Sequence, residues 1–160
     1  MPAALKSVAV LVMFLAVCYG AAALGGYFTN MGTREWYATL NRPDWTPSGQ
    51  IIGMVWTILF AMMAVAAWLV WRRAGFTNAG PAMTLFAIQL LLNVLWSVVF
   101  FGLRQPGWAF AELILLQAFI IATLVAFWRI TPAAGALFIP YAAWVAFAGM
   151  LNFLIWRLNV

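Results

Sequence analysis

Five stretches of mostly apolar residues, parted by short polar segments, constrain this chain more than any other feature. A helix needs about 20 such residues to cross roughly 30 Å of hydrocarbon. The stretches fall at about 5–28, 51–71, 82–103, 108–128 and 133–156, and only Glu112 lies well inside one of them as a charge. The 160 residues are 68% hydrophobic and 7% charged, with a mean hydropathy of +1.03. An ordinary soluble domain is about half apolar and a quarter charged, so a chain this short cannot keep that much apolar surface from water. Its solvent is lipid. The expectation is one domain spanning 1–160, all-α, folded as a five-transmembrane-helix bundle in an integral, multi-pass membrane protein.

The punctuation agrees with five spans. Arg72-Arg73-Ala74-Gly75 closes the second, and Pro81 opens the third in its first turn. Arg104-Gln105-Pro106-Gly107 reads as a tight turn, and Thr131-Pro132 as an N-cap with proline at the first helical position. Links this short make the third, fourth and fifth helices antiparallel neighbours in turn. Pro140 predicts a kink in the fifth, since its ring removes a backbone N–H and frees a carbonyl one turn earlier. Lys6 and Ala21-Ala22-Ala23 bracket the first stretch as in a secretory leader. The apolar run is longer than a leader's core, however, and Val17 is bulky where cleavage wants a small residue, so the stretch reads as a retained span. Lys6, Arg72, Arg73 and Arg129 on one side balance Arg34, Arg42, Arg104 and Arg157 on the other, so the positive-inside rule gives no orientation. Ala21/Gly25 and Ala22/Gly26 have the four-residue spacing of close helix contacts, a weak signal of dimerisation.

Several chemistries are excluded. The eight Lys and Arg exceed three Asp and Glu, but they stand singly or in one pair at span ends. No basic cluster tracks a phosphate backbone, so nucleic acid is not a partner. The chain has no histidine, hence no His-ligated haem or zinc and no Ser-His or Cys-His nucleophile. Cys18 stands alone, and three carboxylates do not build a metal cage. No metal site and no required cofactor are expected.

What remains is aromatic. Ten tryptophans are present. Trp71, Trp108, Trp128 and Trp156 sit near span ends, where indoles anchor at the headgroups. Trp56, Trp96 and Trp144 sit inside spans, where a buried N–H needs an acceptor and so implies a cavity or a partner helix. Gln89, Asn93 and Ser97 form a polar face on the third span beside Trp96 and Phe100. Trp144, Ala148 and Asn152 share a face of the fifth, and Trp56 and Phe60 lie one turn apart on the second. Interhelical hydrogen bonding and ligand binding both account for these amides. The segment 29–50 is long for a membrane hairpin and carries Trp36, Tyr37 and Trp45, which suit either interfacial anchoring or function. Glu112 and Gln117 lie on the fourth span, and the place of Glu112 near its end favours a structural or partly solvated carboxylate over a proton site. A large, flat, apolar ligand with a few polar edges would suit a cavity walled by these residues.

These residues fall in ordered motifs. Trp36-Tyr37 is followed by Leu40-Asn41-Arg42-Pro43-Asp44-Trp45-Thr46-Pro47, then Trp56. Gln89, Asn93, Trp96 and Phe100-Phe101 follow, and last Ile139-Pro140-Tyr141, Trp144, Phe147-Ala148 and Leu151-Asn152. The set resembles the TspO/MBR family, also called tryptophan-rich sensory or translocator proteins and peripheral-type benzodiazepine receptors, over nearly the whole chain. The resemblance implies a ligand cavity capped by the long first loop, usually in a homodimer, in a bacterial membrane for a chain of this type. It implies binding of protoporphyrin IX and related tetrapyrroles and, in bacterial members, light- and oxygen-dependent porphyrin breakdown. Trp56 and Trp144 match the tryptophans assigned to that breakdown. Trp36, Tyr37, Phe60, Asn93, Trp96, Phe100 and Ala148 match pocket-lining positions, and Asn152 shares the face of Trp144 and Ala148. Glu112 falls where the family often carries an acid. Phe153 stands where the animal members' proposed cholesterol motif has tyrosine, which argues against sterol binding. Transport of tetrapyrroles or amphipathic cations, and ligand sensing through a partner protein, are the competing functions; no internal repeat favours a transporter.

Overall fold

A computed structural model describes residues 2–33 and 35–160; Arg34, one of the charges in the topology tally, lies outside the described residues. Among these residues the chain forms five long helices and no strand. They are α1 (Ala3–Thr33), α2 (Gly49–Asn78), α3 (Gly80–Ser97), α4 (Pro106–Ile130) and α5 (Pro132–Leu158), each long and apolar enough to cross a membrane once the π-helical turn Val98–Gly102 is added to α3. In contact order around the bundle they run α1, α2, α5, α4, α3 and back to α1. The expected adjacency of α3, α4 and α5 holds.

Local chemistry sets the helix ends. Ser48 caps α2 by accepting from the Ile51 N–H, and prolines open α3, α4 and α5, where the missing N–H costs nothing. Thr131 occupies the N-cap of α5 as expected, but it caps through its backbone: its carbonyl accepts from Ala134 and Gly135, and its hydroxyl makes no cap. Gly75 leaves helical geometry at φ 67°, ψ 175° and breaks α2 where the Arg-Arg-Ala-Gly stop was expected, although one more turn follows to Asn78. The end of α1 differs from expectation. α1 runs on to Thr33 rather than ending near residue 28, with the Thr29 hydroxyl folded back on the Gly25 carbonyl, so the first connection shrinks from 29–50 to the residues between Thr33 and Gly49. Pro140 lies inside α5 as expected, and the helix continues through it to Leu158.

Glycines let the helices approach closely. A methyl group on Gly135 would lie 2.7 Å from Trp128 Cβ, and one on Gly149 2.8 Å from a Leu113 methyl, so α4 and α5 meet backbone to side chain. On α1, a methyl group at Gly25 would meet Ser97 Oγ at 3.2 Å, and one at Gly32 would meet the Phe101 carbonyl at 2.7 Å. Gly25, one of the small residues considered for association between chains, is thus occupied within the bundle. α1 is tied to α2 by the Tyr19 hydroxyl, which donates to the Thr57 carbonyl, and by the Trp68 indole, which donates to the Ser7 carbonyl.

The two halves of the bundle are filled differently. In the half away from the first loop, Phe86, Phe127, Phe138 and Tyr141 interlock at centroid distances of 5.3–6.4 Å, and Cys18, Met63 and Val70 are sealed among them. Above that plug, towards the loop, the bundle is hollow.

Candidate functional site

The floor of the hollow is a closed polar chain. The Tyr141 hydroxyl donates to Gln89 Oε1 at 2.9 Å and accepts from Asn93 Nδ2 at 3.0 Å, while Gln89 Nε2 donates to the Phe86 carbonyl. Each group is deeply buried, and leaving any of them unpaired in hydrocarbon would be costly. Gln89 therefore serves as interhelical glue. Higher up, Trp96 Nε1 donates to Asn152 Oδ1, and Asn152 Nδ2 donates to the Pro106 carbonyl, linking α3, α5 and the start of α4.

Above this floor lies a cavity of about 540 Å³, within the usual size range of small-molecule sites. Its walls come from α1, α2, α3, α5 and the first loop; α4 contributes nothing to it. Three aromatic pairs face it: Trp56 on Phe60 at 5.7 Å, Trp96 stacked on Phe100 at 5.1 Å and 24°, and Trp144 on Phe147 at 5.3 Å. Small residues line it as well, Ala21, Ala22, Gly25 and Gly26 on α1 with Gly49 and Gly53 on α2. A cavity walled by aromatic rings and small residues has room for a flat guest. Asn93, Trp96 and Asn152 spend their side-chain N–H groups on the bundle itself, and Trp144 Nε1 is shielded and has no partner.

The first loop closes the top. Tyr37 lies edge-on to Phe100 and Phe101, and Trp36 lies edge-on to Phe100 at 5.6 Å. Trp45 reaches Phe147 at 5.8 Å. The loop is latched at its middle: Asn159 Oδ1 accepts from the Asn41 backbone N–H, and Asn159 Nδ2 donates to the Asn41 carbonyl, both at 2.9 Å. Beneath the loop the π-helical turn, closed by Leu103 N–H donating to the Val98 carbonyl, buries two consecutive residues, Phe100 and Phe101. Wide turns of this kind are frequent at functional sites.

This cavity, its indoles and its lid lie on residues whose order is specific to one family. The model of the TspO/MBR family matches residues 14–157. The chain belongs to the TspO/MBR family. The human translocator protein is 40% identical over 138 residues, covering 85% of this chain and 82% of that protein. The tryptophan-rich protein TspO of Chlorobaculum tepidum is 39% identical over 158 residues, covering 96% and 98%. The tryptophan-rich sensory protein of Cereibacter sphaeroides is 37% identical, covering 94% and 92%. The five-helix architecture and the multi-pass membrane location expected of a TspO/MBR member hold for this one.

Of the residues singled out in the sequence, Tyr37, Trp56, Phe60, Asn93, Trp96, Phe100, Trp144, Ala148 and Asn152 all line the one cavity. Trp36 does not; it backs Phe100 from outside the wall. Glu112 is also elsewhere. It sits on α4, away from the cavity, and instead of being partly solvated both its oxygens are shielded and unpartnered. Gln117 donates to the Ala142 carbonyl, bracing α4 against α5. Sequence reasoning missed Arg42, Phe147 and the glycine wall. Their signals were present, since Phe147 lies three residues from Trp144 and the glycines share α1 and α2 faces, but a small-residue face reads equally as helix packing.

Proposed function

We propose that this TspO/MBR protein binds protoporphyrin IX or a related porphyrin in the cavity, and that the bound porphyrin is broken down under light and oxygen with Trp56 and Trp144 taking part. The observation that carries the reading is the convergence of three tryptophans, each paired with a phenylalanine ring, on one cavity. A porphyrin macrocycle supplies the broad π-faces that stack on indole and phenyl rings, together with ring nitrogens and edge oxygens as acceptors. A metal-free porphyrin needs no axial ligand, which fits a chain without histidine.

The chemistry would be supplied by the guest. A light-excited porphyrin activates dioxygen, and the protein's share is to hold the ring and exclude bulk solvent. Indole is an easily oxidised side chain, so Trp56 and Trp144, on the neighbouring helices α2 and α5 and lining the same cavity, would act as electron donors beside the excited ring. Binding in a homodimer embedded in lipid is part of the same proposal. The test is an absorbance titration of the purified protein with protoporphyrin IX in darkness, followed by illumination in air and under argon. Saturable binding with oxygen-dependent loss of the main porphyrin band is expected. Binding without accelerated loss would reduce the function to ligand holding, and no saturable binding would remove it.

A further inference from the structure

The cavity rim carries one guanidinium. Arg42, on the loop, lines the cavity and lies over the Tyr37 ring, with its terminal carbon 4.7 Å from the ring centroid. That stacking fixes its position and leaves the in-plane N–H groups free. The only ion pair among the described residues is a different one, Arg104 with Glu35 at 3.9 Å. Asp44, two residues along the loop, makes no such pair with Arg42. The rim beside Arg42 is formed by Thr46, Ser48 and the first residue of α2, Gly49, so the positive end of that helix adds to the same field. Deeper in, Trp144 Nε1 has no partner but is shielded from open space, so the exposed cation at the rim is the charged group a guest meets.

The cavity therefore combines aromatic and small apolar walls with a cation at the mouth. Resting on the porphyrin-binding reading above, we infer that the site selects ligands with a carboxylate edge, and that Arg42 is the residue that reads it. The macrocycle enters with its apolar edge towards Phe60 and Trp144, and its carboxylate side chains stay at the loop, one of them paired with Arg42. A guanidinium meets a carboxylate with two parallel N–H bonds, which an ester cannot accept equally well because it carries no charge. A cationic or neutral flat ligand would gain the stacking but forfeit this contact.

The experiment compares protoporphyrin IX with its dimethyl ester on the full chain in detergent, for the parent, Arg42→Gln and Arg42→Lys. Arg42 is exposed, so its replacement leaves the bundle intact. The parent should hold the diacid about tenfold more tightly than the diester. Arg42→Gln should abolish that preference by weakening the diacid alone, and Arg42→Lys should restore part of it. Equal weakening of both ligands would make Arg42 a mere support for Tyr37, and an unchanged preference would place carboxylate recognition elsewhere; either result overturns the inference while leaving porphyrin binding standing. If neither ligand binds the parent, both readings fall together.

Discussion

A tryptophan in mid-membrane has to account for its N–H. Trp96 does so through Asn152, whereas Trp144 has no partner in the bundle, so the two indoles serve different ends although both face the cavity. Replacing Trp56 or Trp144 by Phe keeps a stacking face and removes the oxidisable indole. Each variant should bind protoporphyrin IX within a few-fold of the parent, a loss below about 1.4 kcal/mol, yet bleach it far more slowly under white light; parent-like bleaching would leave both tryptophans as walls only. Tyr141 offers a contrasting case. Tyr141→Phe strips the shared hydroxyl from Gln89 and Asn93 and leaves two buried amides short of a partner. The individual terms in a membrane are modest, so the expected cost is about 1–2 kcal/mol, seen as a lowered thermal midpoint in detergent without change in the helical signal. Residues such as Trp56 and Trp144 were legible in the sequence because burying a polar donor in an apolar run is conspicuous. Arg42 was not: a lone arginine in a loop counts only towards topology until the loop's path is known.

The same division appears at the scale of elements. Hydropathy alone located all five helices, since in lipid only a helix satisfies the backbone of an isolated apolar stretch. It could not locate the end of α1, because Thr29, Asn30 and Thr33 look like loop residues and are in fact the last turns of a helix whose polar groups line the cavity. Nor could it find the π-helical turn, for Val98-Val99-Phe100-Phe101-Gly102 differs in no way from ordinary apolar helix. The lid's shortest polar attachments come from one side chain far along the chain. Asn159 makes both hydrogen bonds to the Asn41 backbone; a longer bond from the Asn41 amide to the Leu158 carbonyl, the Arg104–Glu35 ion pair and ring contacts add to them. Asn159→Ala is therefore expected to speed hydrogen exchange at the amides of residues 37–46 while leaving α2 and α4 protected as before. Unchanged exchange in the loop would mean that Tyr37 and Trp45 hold it unaided.

At the scale of the whole molecule, four helices and a loop make the cavity and the fifth, α4, stands behind it. α4 packs on α5 through Gly135 and Gly149 and on α3 through the stacked pair Phe86 and Phe127, so it buttresses two walls while touching no guest. This arrangement bears on whether the protein moves its ligand or holds it. A proton-coupled carrier needs a carboxylate that exchanges protons as the substrate site opens to either side. Glu112 is the only carboxylate of the chain within a span, and it lies on α4, off the cavity, with both oxygens shielded and no hydrogen-bond partner. No lysine or arginine lies mid-span to relay a proton to it, and the chain has no histidine. Glu112→Gln keeps the shape of the side chain and removes the ionisable group. Porphyrin affinity should stay within a few-fold, under about 1.4 kcal/mol, and the thermal midpoint should hold or rise. The decisive measurement is proton-driven porphyrin uptake into liposomes containing the parent or the variant. Uptake by the parent that vanishes in Glu112→Gln would make α4 part of a translocation path and place the transporter ahead of the binder; no driven uptake by either protein leaves α4 as a brace and the cavity as a holding site.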